Sequence, residues 1–581
     1  MKSEADGLRS QRWFEARGVP GLFHRAYLKS EGISDDAFRN RPVIGILNPW
    51  SELVNCHSHF RGMADAVRRG VLQAGGMPLE FPTMSLGEVF MKPTTMLFRN
   101  LMAMDAEETI RANPLDAVVL LAGCDKTIPA ALMGAVSVDL PAIMITGGPT
   151  EPGVFCGRQL GGATDVWQFT DDLRAGRMSQ SEYDQMESAL VPSTGHCPEM
   201  GTASTMSALV EALGLALPGS AAIPAVDARR NAMAEATGRR AVELAVHRVR
   251  PSSILTAEAF DNAITLLMAL GGSTNAVIHL LALAGRAGVD LSLRRFDELA
   301  MRTPVIVNVR PSGEFLVEQL FHSGGVPAVL NELRPLLHTQ AATVTGRSIG
   351  DNVQGAKRGD ARVIRPLSSP VSPVGSITVL YGNLAPDGAV IKTSAASKEL
   401  QRHTGRAVVF EDIHDLARRA DDPDLEVTAE SVLVLRNAGP KGAPGMPEWG
   451  HLPIPRKLLR AGVTDMVRLS DARMSGTSFG TIVLHIAPEA AVGGPLALVA
   501  DGDAIELDVE ARRLRLAVPD EELKRRAAAF RPRAPHYRRG YGAIYLDHVL
   551  QADKGCDFDV LRKIDDEPFQ TDPIGLDSAP H

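Results

Sequence analysis

Short continuous apolar runs alternate with runs of helical period along the first roughly 365 residues, the pattern of helices layered on parallel strands. "RPVIGILN" at 41–48 and "DAVVLLAG" at 116–123 predict buried strands. "MGTASTMSALVEALGLALPG" at 200–219 predicts a helix, with Met206, Leu209, Val210, Leu213 and Leu217 at helical spacing and a Pro218-Gly219 stop. "GGSTNAVIHLLALAGRAG" at 271–288 repeats the device, with Gly271 and Gly272 leading to a Ser273 or Thr274 cap and then an apolar helix. From about residue 347 the texture turns to Gly, Ser, Pro and charge, which suits a linker or exposed crossover and places a domain boundary near 370. Beyond it, apolar alternation returns in "SITVLYG", "SVLVLRN" and "GGPLALVADGDAIELDVEARRLRLAV", broken by turns at Pro386-Asp387-Gly388 and Asp501-Gly502-Asp503. The expected architecture is α/β. A large N-terminal α/β/α domain with a parallel sheet spans 1–370, and a smaller β-rich, barrel-like domain with a C-terminal tail spans 371–581.

Composition fits that size and narrows the partners. The 581 residues are 45% hydrophobic and 22% charged, enough for two or three globular cores and unlike a disordered chain. The net charge of -8 comes without a long Lys/Arg block, so the sequence offers no footprint for nucleic acid and no polybasic membrane patch. "MKSEADGLRSQRWFEARG" lacks the apolar core of a secretion signal, and no run approaches the ~18 apolar residues of a membrane span. The expectation is a soluble cytoplasmic protein.

Five scattered cysteines, an odd number, make no disulfide framework and are expected to be reduced. No C-x-x-C pair occurs, so any metal site must be assembled from distant segments. Cys156 and Cys556 read as small buried hydrophobes. Cys56 in "NPWSELVNCHSHF", Cys124 in "LAGCDKT" and Cys197 in "STGHCPEMGTASTM" instead follow apolar or turn segments among polar groups, where loops at strand ends carry function. Cys124-Asp125-Lys126 closes the apolar run Leu115 to Ala122, and a carboxylate and an amine there need partners or a ligand to offset desolvation. A soft thiolate beside a hard carboxylate suits two neighbouring metals. An Asp-Lys ion pair beside an inert cysteine explains the same three residues equally well. "NAGPKGAPGMPEWG", which carries Glu448, and "LSDARMSGTSFGTIVLH", which sets Ser475, Thr477 and Ser478 among glycines, are either tight loops or rigid holders of functional groups.

Seven segments in order carry a resemblance to a known family. They are "NCHSH" at 55–59, "SLGEVFMKPTTMLFRNLMAMDAEE" at 85–108, "GCDKT" at 123–127, "GHCPEMGTASTM" at 195–206, "GGSTNAVIHL" at 271–280, "GAPGMPE" at 442–448 and "DARMSGTSFGTIVLH" at 471–485. Over nearly its whole length the chain resembles the dihydroxy-acid and phosphogluconate dehydratases, and within them the sugar-acid (aldonate) dehydratases such as the L-arabinonate and D-xylonate enzymes. The resemblance implies a hydro-lyase that converts a 2,3-dihydroxy sugar acid, a pentonate by preference, to a 2-oxo-3-deoxy acid. It implies a 2Fe-2S cluster on Cys56, Cys124 and Cys197, and a magnesium ion among Glu88, Asp125, Lys126 and Glu448, with Lys126 carbamylated. Ser475 would be the base and Thr477 its supporting hydroxyl, in a homodimer or homotetramer. Three cysteine ligands leave one iron open as a Lewis acid for the C3 hydroxyl. Two other readings are a dihydroxy-acid dehydratase of branched-chain amino-acid synthesis, and a non-catalytic iron-sulfur sensor that would need the cysteines but not the magnesium set or Ser475.

Overall fold

The computed structural model describes residues 7–563; residues 1–6 and the end of the C-terminal tail, 564–581, lie outside the described part. Strands β1 (Val43–Asn48), β2 (Met77–Pro82), β3 (Ala117–Ala122) and β4 (Ala142–Thr146) form a parallel sheet in the order β2-β1-β3-β4. Val43 lies opposite Met77, Ile44 opposite Ala117, and Val118 opposite Ala142. Every residue of β1, β3 and β4 is buried, which is why these strands are continuous apolar runs in the sequence rather than alternating ones. Helices Phe60–Gln73 and Ala228–His247 pack on each other and on the sheet, and Met96–Ala112 packs on Thr127–Val138 as a second pair. From β1 the chain leaves in one direction to β2 and then crosses to the other side of β1 for β3. The carboxyl ends of β1 and β3 therefore flank the point where strand order reverses, the place where open parallel sheets form a crevice.

The expectation of parallel strands through residue 365 holds only to residue 146. A short hairpin, β5 (Gly153–Phe155) with β6 (Arg158–Leu160), follows, and the rest of the domain is mainly helical. Helices Thr202–Ala212 and Asn275–Ala287 lie in the two segments whose spacing and caps predict helices, and Ala257–Ala269, buried almost all round like them, packs against both. The 271–288 helix starts as expected near Ser273, whose hydroxyl accepts the Asn275 N–H at 3.2 Å. The Gly/Ser/Pro-rich stretch after 347 is tied to the first domain by bridges from Ser372 to Val305 and from Ile364 to Val307. Cys156 departs from expectation: it is exposed, at positive φ in the β5–β6 turn, because that hairpin projects from the core. Cys556 is buried.

The second half closes into an eight-stranded barrel of β7 (Thr378–Gly382), β8 (Ala385–Ile391), β9 (Arg402–Phe410), β10 (Val432–Leu435), β11 (Arg468–Ser470), β12 (Ile482–Ala487), β13 (Ala504–Asp508) and β14 (Arg513–Leu516), in the order β10-β11-β12-β8-β7-β14-β13-β9. Leu380, Ile391, Val409, Val434, Leu469, Val483 and Leu507 belong to one apolar cluster of the barrel, and closure leaves no exposed edge. Strands β9, β10, β11 and β12 run parallel, so the loops after β10 and β11 leave from one end. The chain after the barrel returns to the first domain, where buried Arg99 donates to the carbonyls of Gly555 and Cys556 at 2.9 Å and buried Arg286 binds Asp557 at 2.6 Å and Glu107 at 2.9 Å. Among the described residues no helix is long and apolar enough to cross a membrane.

Candidate active site

The polar residues singled out in the sequence meet where the carboxyl ends of the two sets of parallel strands face each other. Strand β1 runs into the loop bearing Cys56, β2 into the loop bearing Glu88, and β3 directly into Gly123-Cys124-Asp125-Lys126. After β4, Pro149 pairs with His196, which sets Cys197 beside the same crevice. Gly123 is needed for this approach, since a Cβ there would lie 2.6 Å from the Cys56 carbonyl oxygen. Thr127 fixes the cysteine turn: its hydroxyl accepts the Cys124 N–H at 2.9 Å and donates to the Cys124 carbonyl at 3.0 Å. His57 bridges the neighbouring loops, with Nε2 3.2 Å from that hydroxyl and Nδ1 2.8 Å from Ser85 Oγ. Burial pushes its pKa to about 3, so it serves as a neutral strut.

The thiols of Cys56 and Cys124 are neighbours, and Cys197 is close enough to act on Cys56. The hydrogen bond with Cys124, then burial, then the charges of Cys124, Cys197 and Asp125 push the Cys56 thiol well above its ordinary pKa. Cys197 is pushed up as well, by burial of its sulfur and by Glu199, Asp125 and Cys124, although the residue as a whole is exposed. Thiols raised in this way ionise together only with a cation among them, and sulfur donors suit iron or another thiophilic metal.

Next to the thiols, Lys126 is fully buried with its Nζ 3.1 Å from Glu448 Oε1, 3.2 Å from Glu88 Oε2 and 3.4 Å from Asp125 Oδ2. Burial lowers the lysine pKa, but Glu448 and Glu88 outweigh it and raise the pKa above its usual value. Burial raises Glu88, while Lys126 and Arg473 bring it down to about 2. Burial also leaves Asp125 above the usual carboxylate range despite Lys126. Among the described residues no group of three His, Cys, Asp or Glu side chains is arranged as a metal site as it stands; the Lys126 amine occupies the centre of the three carboxylates. The carboxylates are nonetheless the hard donors magnesium takes, and buried Asn275 Oδ1 beside them has no hydrogen-bond partner.

Residues not singled out in the sequence complete this set. Arg473, fully buried, donates to Glu448 Oε1 at 2.9 Å, to the Met446 carbonyl at 2.8 Å and to Thr94 Oγ1 at 3.3 Å. Asn275 Nδ2 donates to Glu448 Oε1 at 2.8 Å and to Thr202 Oγ1 at 3.0 Å. Both lie inside quoted motifs, so the signal was present in "DARMSG" and "GSTNAV", but nothing in their spacing assigns them to Glu448.

Ser475 comes from the loop after β11. Its Oγ lies 2.8 Å from Thr477 Oγ1 and accepts the Thr477 N–H at 3.4 Å. Trp167, on the helix Ala163–Ala175 of the first domain, donates its indole N–H to Thr477 Oγ1 at 3.3 Å and packs against the half-buried His451 ring, centroid to centroid 5.2 Å and tilted by 32°. With the indole using one lone pair of Thr477, the threonine O–H is free to point at Ser475 Oγ and to stabilise negative charge there. Trp167→Phe should keep the ring contact and lose this alignment, lowering kcat about 3- to 10-fold, the worth of one neutral hydrogen bond, with KM little changed. Steady-state kinetics of a variant with unaltered kcat would remove Trp167 from the account.

Two family models match the chain, dihydroxy-acid/6-phosphogluconate dehydratase N-terminal over residues 41–352 and C-terminal over 362–556. The L-arabonate dehydratase of Azospirillum brasilense is 52% identical, the match covering 97% of this chain and 98% of the relative. The 6-deoxy-6-sulfo-D-gluconate dehydratase of Pseudomonas putida is 49% identical, covering 96% of each. The dihydroxy-acid dehydratase of Ignicoccus hospitalis is 42% identical, covering 92% and 97%.

Proposed function

The chain belongs to the dihydroxy-acid/6-phosphogluconate dehydratase family and is a hydro-lyase, and from that premise we propose that it dehydrates a sugar acid, by preference a pentonate such as L-arabinonate or D-xylonate. One observation carries the reading. Three cysteines and a ring of three carboxylates about Lys126 lie side by side at the carboxyl ends of one parallel sheet, with the Ser475 loop brought to them from the barrel.

In this reading Cys56, Cys124 and Cys197 hold a 2Fe-2S cluster, and Glu88, Asp125, Glu448 and a carbamylated Lys126 hold magnesium. When bound, the two centres supply Lewis acidity, at the C3 hydroxyl for iron and at the C1 carboxylate and C2 oxygen for magnesium. Carbamylation replaces an ammonium by an anion, which turns Lys126 from the occupant of the carboxylate ring into a fourth oxygen donor. Arg473 and Asn275 hold Glu448 in place, and Ser475 takes the proton from C2. Thr477 donates its hydroxyl to Ser475 Oγ while that oxygen is anionic. Loss of the C3 hydroxyl as water leaves an enol, which becomes the 2-oxo-3-deoxy acid. The protein acts in the cytoplasm, as a dimer or tetramer.

The test is 2-oxo acid formation by anaerobically prepared protein with magnesium, offered L-arabinonate, D-xylonate, D-gluconate, D-galactonate, D-fuconate, 6-deoxy-6-sulfo-D-gluconate and 2,3-dihydroxyisovalerate. Turnover of a pentonate above the rest is expected. Turnover of dihydroxyisovalerate alone would move the protein to the branched-chain reading, and an intact cluster with no turnover would make it a sensor.

A further inference from the structure

Lys392 takes no part in the scheme above. It follows β8, and its long side chain is fully buried. Ile391 lies opposite Val483 of β12, so Lys392 continues past the strand beside the Ser475–Thr481 turn that feeds β12. Its Nζ donates to the Gly476 carbonyl at 3.4 Å. The turn cannot retreat from this position, because a Cβ on Gly476 would lie 2.7 Å from both the Thr202 nitrogen and Ser273 Oγ. From β8, β12 and the turn, no carboxylate, imidazole, thiol or guanidinium among the described residues acts on Nζ.

A buried ammonium without an anion is a cost that a stable core avoids. The group that could supply the anion is one residue from the carbonyl Lys392 touches, and it is the residue whose assigned role requires negative charge. We propose that Lys392 is the counter-charge that holds Ser475 as an alkoxide, a positioning residue acting through Ser475. The inference rests on the dehydratase reading and adds to it the place where the serine proton goes.

The step balances. The Ser475 Oγ–H bond breaks, its proton forms an N–H bond on the neutral Lys392 amine, and an alkoxide–ammonium pair results. The alkoxide takes the C2 proton of substrate and passes it to the departing C3 hydroxyl as water forms, so the ammonium keeps its proton through each turnover. Burial lowers the Lys392 pKa to about 7, which leaves a neutral amine available near physiological pH.

The experiment compares full-length, metal-loaded wild type with Lys392→Met and Lys392→Arg. Lys392→Met should lose about 100-fold in kcat with KM little changed, and the pH midpoint of kcat should move up. Below pH 7, where the amine is protonated while Ser475 keeps its own proton, it should also melt higher than wild type, since a buried ammonium without an anion is gone. The sign follows from linkage: the unfolded chain binds the lysine proton more tightly, so wild-type stability rises with pH between about 7 and the ordinary 10.5. The Tm gain of Lys392→Met should therefore be greatest below pH 7 and vanish toward 10.5. Lys392→Arg keeps the counter-charge but cannot take up the serine proton, and should recover only part of the lost kcat. A Tm below pH 7 no higher than that of wild type overturns the inference, and so does an unchanged kcat. A wild type that turns over no acid overturns the dehydratase reading and this inference with it, whereas equal turnover by wild type and Lys392→Met overturns this inference alone.

Discussion

Ser475→Ala should fold and load its metals as wild type does, yet lose about 10³-fold in kcat, the middle of the range for removing a positioned general base and worth ~4 kcal/mol. The fold is spared because the hydroxyl anchors little: its contacts are with Thr477, and Thr477 keeps both the Trp167 indole N–H at 3.3 Å and, through its own carbonyl, the Thr164 hydroxyl at 3.0 Å. The loop is held from elsewhere. Asp471 accepts the Ala438 and Ala490 N–H groups, each at 2.9 Å, and Glu489 accepts those of Lys441 at 2.9 Å and Gly442 at 2.8 Å, so the loops bearing Ser475 and Glu448 are braced together. Iron, sulfide and Tm measured beside kcat separate the two effects. A kcat within tenfold of wild type would transfer the proton abstraction to another group.

Local pattern marked out Cys124-Asp125-Lys126 and the glycine-rich turns, while Glu88 and the roles of Glu448 and Ser475 were legible only through the family resemblance of their motifs. Cys124, Asp125 and Lys126 announce themselves as polar residues at the end of an apolar strand, and the structure brings Glu88 and Glu448 to the same lysine. What the sequence could not display is partnership across distance. Trp167 meets Thr477 across 310 residues, and Lys392 meets Gly476 across 84, and neither has neighbours in sequence that mark it as functional. The fold shows the same division. Strands β1 and β3 were readable from burial on both faces, and helix 275–287 from the glycines and cap that open it, whereas helix 257–269 lacks the polar stripe that separates a helix from a strand in sequence. Cys156 was misjudged because the exposure of a cysteine depends on where a hairpin points, which composition does not encode.

Lys126→Met and Lys126→Arg should part company in stability but not in activity. In the metal-free protein, removing the amine leaves Glu88, Asp125 and Glu448 facing one another with Arg473 as the remaining cation in contact with Glu448, and loss of one partner of a buried ion pair costs about 3–5 kcal/mol. The pH dependence has a definite sign. Glu88 is held near 2 in the folded state by Lys126 and Arg473 against burial, so its stabilising contribution is present above the ordinary 4.5 and is lost as pH falls toward 2. The Tm deficit of Lys126→Met should accordingly be full above pH 4.5 and shrink below it. Lys126→Arg restores a cation among the carboxylates and should regain most of that Tm. Activity should not follow, because a guanidinium neither becomes a carbamate nor gives magnesium an oxygen. Both variants should lose about 10³-fold or more in kcat, since several kcal/mol of charge stabilisation leave with the ion, and both should bind magnesium more weakly by calorimetry. Carbon-13-enriched bicarbonate should give a carbamate resonance in wild type that is absent from each variant. An arginine variant that keeps wild-type turnover would show that Lys126 acts as a cation, and the carbamate would be abandoned.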